Sequence, residues 1–196
     1  MSSPPRPRLH AGPHHLIDVA QLDCDFLVVS AYKFFGPHTG ILYGKSEHLS
    51  SLEAYKVRPA PSDPPGKWET GTQSFESLAG VTAAVGHIAS LGTGQGRDAL
   101  VSAYDAITAH ERSLGQMFID GISQLAGVTL YGMPVMGDHR VTTFAVSVDG
   151  TSPAVVAAEM ARHGLYVWSG NYYALNVMDR LGTPDGLVRT GEVQFA

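Results

Sequence analysis

Residues Asp25 to Ala31 read DFLVVSA, a continuous apolar run that starts beside an acidic residue and ends near a glycine-proline turn. It is strand-length and shows no alternation of polar and apolar positions. That pattern predicts a buried strand of the kind found in parallel sheets. The residues that follow, YKFFGPHTG, place Gly36, Pro37 and Gly40 in a turn, and ILYG then predicts a second short strand.

Downstream, Ser46 to Leu52 fits a short helix, and the proline-rich YKVRPAPSDPPGKW fits an irregular loop. Leu78, Val81, Val85 and Ile88 fall near helical spacing and predict a helix over Phe75 to Leu91. Gly92 ends that helix, and GTGQG makes a flexible joint. A longer helical pattern runs from Arg97 to Leu125, with a break expected near Leu114. Its apolar face is drawn from Leu100, Tyr104, Ile107, Leu114, Phe118, Ile122 and Leu125. The pattern then changes. Val128 to Gly132 and Val141 to Val148 read as strands. Ser152 caps a helix with Pro153 in its first turn, running to about His163. Gly164 to Trp168 and the LVRTGEVQF segment read as further strands. The β-β-α-β order predicts a small α+β domain after the joint. The expected organisation is an irregular segment over 1–15, part of a large domain over 16–95 and the small domain over 96–196.

Composition removes several function classes. The formal net charge is −5 with no basic block, which argues against a nucleic-acid partner and gives a membrane surface no support. No apolar stretch has the length of a membrane span, and the proline-rich opening does not resemble a secretory signal. Cys24 is the single cysteine, so neither an internal disulfide nor a Cys-rich zinc site can form. The expected address is the reducing cytoplasm, with Cys24 a small core residue. His10, His14 and His15 lack metal-ligand spacing, and no metal site is predicted. GTGQG follows a helix rather than a strand, which makes it a hinge and not a nucleotide loop. His110 and Glu111 are expected on the solvated face of the long helix.

Chemistry concentrates at Lys33, just past the first strand and just before the glycine-proline turn. Burial there would desolvate its amine and favour a nucleophile. Taken alone, a lysine at a strand end is more commonly a solvated surface residue. The wider segment resembles a family signature. Ser30, Lys33, Gly36, Pro37, Gly40, Leu42 and Tyr43 are similar to the cofactor-lysine motif of class V aminotransferases and cysteine desulfurases. HLIDVAQLDCDF and WETGTQSFESLAGVTAAVGHIASLG resemble the stretches on either side. The likeness runs from His10 to Val193.

The resemblance implies an α/β fold: part of the large domain of a type I pyridoxal-phosphate-dependent transferase, with a mainly parallel sheet, followed by a small α+β C-terminal domain. It implies pyridoxal 5'-phosphate as cofactor, with Lys33 as the Schiff-base lysine. By the same likeness Ser30 hydrogen-bonds the cofactor phosphate; Tyr32 stands where many relatives have a histidine that also touches the phosphate, and its phenol can still donate; His10 reaches the cofactor's ring oxygen. Thr72, beside Gly71, reaches the phosphate in a neighbouring subunit, which implies a homodimer. Arg189 pairs with the α-carboxylate of an amino-acid substrate. On local pattern alone, Ser30 would be a strand-end residue, Thr72 a loop residue, Arg189 a surface strand residue and His10 part of a tail.

The sequence also departs from the family pattern. Relatives of this type are about twice as long, and Pro7 stands where an aspartate pairs with the cofactor's ring nitrogen. Tyr173 stands where cysteine desulfurases carry their nucleophilic cysteine. Two expectations follow. One is an enzyme acting on an amino acid by aminotransfer, elimination, racemisation or a related cleavage. The other is an inactive fragment, or one subunit of a split enzyme whose first half is a separate chain.

Overall fold

The computed structural model describes residues 13–138 and 140–191. The chain divides into two compact units between Thr108 and Ala109.

In the first unit, a short helix α1 (Val19–Leu22) is capped by Asp18, whose carboxylate accepts from the Ala20 and Gln21 N–H groups. Strand β1 (Phe26–Ser30) leads into a 3-10 turn (Ala31–Phe34) and returns as β2 (Gly40–Gly44). Helix α2 (Ser46–Ser51) follows, then an irregular stretch, then α3 (Phe75–Ser90) and the start of α4 (Gly96–Ile122). Strands β1 and β2 pair antiparallel, with Val28 opposite Leu42 and Ser30 opposite Gly40.

This pairing corrects the local reading of DFLVVSA as a buried strand with parallel neighbours. The connection from Ser30 to Gly40 is too short for the crossover that parallel strands need, so the two must run antiparallel. Phe26, Val28 and Leu42 share one face and are 45%, 54% and 52% exposed. Among the described residues His48 of α2 stacks on Phe26 at 5.5 Å, and Val28 and Leu42 stay about half exposed.

Small residues let α3 and α4 meet closely. A Cβ on Gly92 would lie 2.1 Å from the Ala99 carbonyl oxygen, so only glycine fits there. Helix α4 is continuous through Leu114, without the expected break. Its buried positions include Ala99, Ala103, Glu111 and Ile119, a four-residue ridge. Glu111 lies on that ridge and is 5% exposed, which overturns its placement on a solvated face. Cys24 is half-buried rather than core.

The second unit holds an antiparallel sheet in the order β3-β4-β6-β5. Its strands are β3 (Val128–Tyr131), β4 (Thr143–Val148), β5 (Trp168–Gly170) and β6 (Leu187–Gly191). Helix α5 (Pro153–Arg162) packs on β4, β5 and β6. The Ser152 hydroxyl caps it by accepting from the Val155 N–H, with Pro153 in its first turn as expected. A further helix, α6 (Leu175–Leu181), was not predicted. Phe144, Val146, Met178, Leu187 and Val188 form the core, and Phe118 stacks on Phe144 at 4.3 Å. Every strand pair among the described residues is antiparallel.

Candidate active site

The turn that carries Lys33 is fixed at both ends. Ala31 is fully buried; its N–H donates to the Thr39 carbonyl at 2.8 Å, and its own carbonyl accepts from the Gly36 N–H at 2.9 Å. Phe35 takes the left-handed conformation (φ 69°) that ends the 3-10 turn. Helix α3 holds the turn from outside. His87 meets the Phe35 ring edge-on at 5.6 Å, and Gly80 leaves room for Pro37.

Lys33 and Ser30 line a cavity of about 180 Å³ whose walls are otherwise largely apolar. Leu16, Ile17, Val85, Ile88, Leu100 and Tyr104 supply much of that surface. Burial pushes the Tyr104 phenol up, so it stays protonated at neutral pH.

A comparison of the four lysines separates Lys33 from the rest. The Lys45 amine bonds Asp23 at 2.8 Å and Asp25 at 3.0 Å, contacts that raise its pKa. The Lys56 amine donates to the Ala60 carbonyl at 2.9 Å. The Lys67 amine, 7% exposed, donates to the Ser50 carbonyl at 2.8 Å. Lys33 makes no hydrogen bond or ion pair among the described residues; its amine lies 5.8 Å from the Tyr32 ring centroid. The Ser30 hydroxyl is likewise unused, although Ser30 occupies the cap position of the 3-10 turn. A half-buried lysine and a serine whose amine and hydroxyl make no hydrogen bond among the described residues, both at one largely apolar cavity, fit a cofactor that carries an aldehyde and a phosphate.

The other candidates lie elsewhere. Tyr32 is 51% exposed and packs on His38 at 5.0 Å instead of lining the cavity. Gly71 (φ 77°) and Thr72 are exposed on the segment before α3, also outside the cavity wall. His10 falls outside the described residues. Arg189 lies on β6 in the second unit, directly opposite Trp168 on β5 and Ala145 on β4. Its guanidinium carbon sits 5.3 Å from the Trp168 ring centroid and 4.9 Å from that of Tyr172. Among the described residues no carboxylate pairs with it. Sequence reasoning missed both aromatic partners. They emerge only from strand register: β5 begins at Trp168, whereas the sequence predicts a strand that ends there.

Comparisons agree on the class of protein. An apo cysteine desulfurase from Thermococcus onnurineus NA1 superposes with a TM-score of 0.79 at 25% identity, over 93% of this chain and 45% of that one. A C-DES mutant solved with glycine covalently linked to its PLP cofactor gives 0.63 at 16% identity, over 89% and 43%. The fold is therefore part of the type I architecture of PLP-dependent enzymes. Cysteine desulfurase of Dickeya dadantii is 29% identical over 184 residues, covering 87% of this chain and 41% of the relative. The aminotransferase class-V model matches residues 10–192, and the chain belongs to that family. It spans about two fifths of the length of such curated relatives. No helix among the described residues is long and apolar enough to cross a membrane.

Proposed function

We propose that this chain provides the cofactor-binding lysine and the substrate-binding arginine of a pyridoxal-phosphate-dependent enzyme acting on an amino acid. The observation that carries the reading is at Lys33: of four lysines its amine alone lacks a hydrogen-bond partner among the described residues, and the residue lines a largely apolar cavity. When bound, pyridoxal 5'-phosphate supplies an electron sink that acidifies the α-proton of an amino acid.

Lys33 holds the cofactor through its ε-amine and afterwards carries the α-proton at the same nitrogen. Val85, Ile88 and Leu100 supply an apolar wall to the cavity that Lys33 lines. The family likeness assigns phosphate contacts to Ser30, on the cavity wall, and to Tyr32 and Gly71–Thr72, which lie off that wall, Thr72 toward a second copy in a homodimer; it assigns the ring oxygen to His10. Arg189 presents its fork of N–H groups to the substrate carboxylate. In domain terms, 16–95 belong to the cofactor-binding domain and 96–196 to the small domain. The protein acts in the cytoplasm.

The test is optical. Pyridoxal 5'-phosphate added to the purified chain should produce a visible absorption band that Lys33→Ala abolishes and Lys56→Ala leaves intact. An equal band in Lys33→Ala refutes the assignment.

A further inference from the structure

We infer that Trp168 and Tyr172 are positioning residues for Arg189: they hold the guanidinium by its contacts with ring faces and leave its N–H groups free for a carboxylate. This rests on the reading of Arg189 as the carboxylate receptor and adds how that receptor is prepared.

An arginine usually becomes ordered by donating hydrogen bonds, which consumes the donors a ligand needs. Arg189 is half-buried, yet it makes no hydrogen bond or ion pair from its side chain among the described residues. What orders it is aromatic. Its guanidinium carbon lies over the Trp168 ring at 5.3 Å and over the Tyr172 ring at 4.9 Å, both within cation–π range. These contacts engage the charge and leave the donors in the guanidinium plane uncommitted.

The two rings are themselves fixed. Trp168 is the register partner of Arg189 across β5 and β6, so backbone pairing sets their separation. The Tyr172 hydroxyl lies within hydrogen-bond reach of the Trp168 carbonyl at 2.8 Å and of the Leu187 carbonyl, tying β5 to β6 beside the arginine. Burial pushes the Tyr172 phenol up, which keeps the proton that makes this tie. Tyr172 and Tyr173 both adopt left-handed backbone, φ 55° and 60°, conformations that tyrosine enters only at a cost. That strained turn brings the Tyr172 ring to Arg189. The strands can approach because Gly186 faces Gly170; a Cβ there would meet the Gly170 carbonyl at 2.2 Å.

A free arginine side chain loses rotamer freedom when it captures a carboxylate. One held in advance loses less, so its affinity is higher for the same contacts. Each ring is expected to contribute about fivefold and the pair about twentyfold, from cation–π contacts at partly exposed sites.

The experiment titrates the full chain with L-alanine, with ethylamine as the probe lacking a carboxylate. Binding is followed through the 15N–1H resonance of the Arg189 Nε. In the wild type this resonance should carry a ring-current shift and should move with L-alanine but not with ethylamine. Trp168→Leu should weaken L-alanine binding about fivefold and reduce the ring-current shift, and Trp168→Phe should restore both. Trp168 is 61% exposed, so its replacement leaves the core intact, which circular dichroism verifies. Wild-type affinity in both Trp168→Leu and Tyr172→Leu, with binding lost in Arg189→Gln, overturns the positioning role and spares the carboxylate assignment. An Arg189→Gln chain that binds as well as wild type, or a wild type in which L-alanine moves nothing, overturns both.

Discussion

Replacing Gly36 by alanine should loosen the turn that presents Lys33, and the size of the effect follows from distances. The new Cβ would lie 2.9 Å from the Ala31 Cβ and 3.0 Å from the Ala31 carbonyl oxygen. Carbon atoms in good contact sit roughly 3.5–4.0 Å apart, so something must move. Ala31 has no room to yield: it is fully buried, and its backbone is bonded at both N–H and carbonyl. The Gly36 N–H to Ala31 carbonyl bond must therefore stretch or the turn must shift. Overpacking of this kind costs about 1–3 kcal/mol. For a chain of this size that corresponds to a fall in Tm of about 2–10 °C. Gly40, at the far end of the same turn, is the internal control. A Cβ there meets nothing within 4 Å, and Gly40→Ala should stay within about 0.5 kcal/mol of wild type. Thermal unfolding followed by circular dichroism, with cofactor absent, compares the three proteins. If Gly36→Ala melts with wild type, or Gly40→Ala falls as far, the steric account of the lysine turn is wrong.

Two further outcomes follow from contacts away from the cavity. Lys67→Met should lower stability by about 1.5–3 kcal/mol in a urea titration, because it removes a buried charge-assisted bond to the Ser50 carbonyl at the end of α2. Trp68, which donates to the neighbouring Leu49 carbonyl at 3.0 Å, should not compensate. The Asp18 carboxyl is held below its usual 3.8, first by the Gln21 N–H and then by the charge of Arg97. A carboxylate with a depressed folded pKa stabilises the protein above its unfolded pKa, and that support is lost as pH falls through the folded value. NMR titration should place the Asp18 midpoint below 3.8, and Arg97→Gln should move it up; an unmoved midpoint would exclude the Arg97 contribution.

Local sequence announced the elements with strong periodicity or caps. Helix α3 follows the spacing from Leu78 to Ile88, and α5 follows Ser152 and Pro153. Helix α6 went unread because it has seven residues and Ala174 provides no side-chain cap. The misreading of Glu111 has a similar origin: the buried ridge of α4 is built partly from alanines, which carry little hydrophobic signal. At the site, the glycine-proline turn and the family motif drew attention to Lys33. That its amine has no hydrogen-bond partner among the described residues could not be read locally, because the partners that occupy the other amines are set by folding: Asp23 lies 22 residues from Lys45, and Ser50 lies 17 from Lys67. The contact of Arg189 with Trp168 depends on strand register, which residues 21 apart in sequence do not reveal until β5 and β6 pair.

Borohydride reduction of the chain incubated with pyridoxal 5'-phosphate, followed by peptide mass mapping, tests the central claim most directly. The reduced pyridoxyl adduct should fall on the peptide containing Lys33, with Lys45, Lys56 and Lys67 unlabelled at equimolar cofactor. Label spread evenly over the four lysines, or concentrated on any of the other three, would contradict the account.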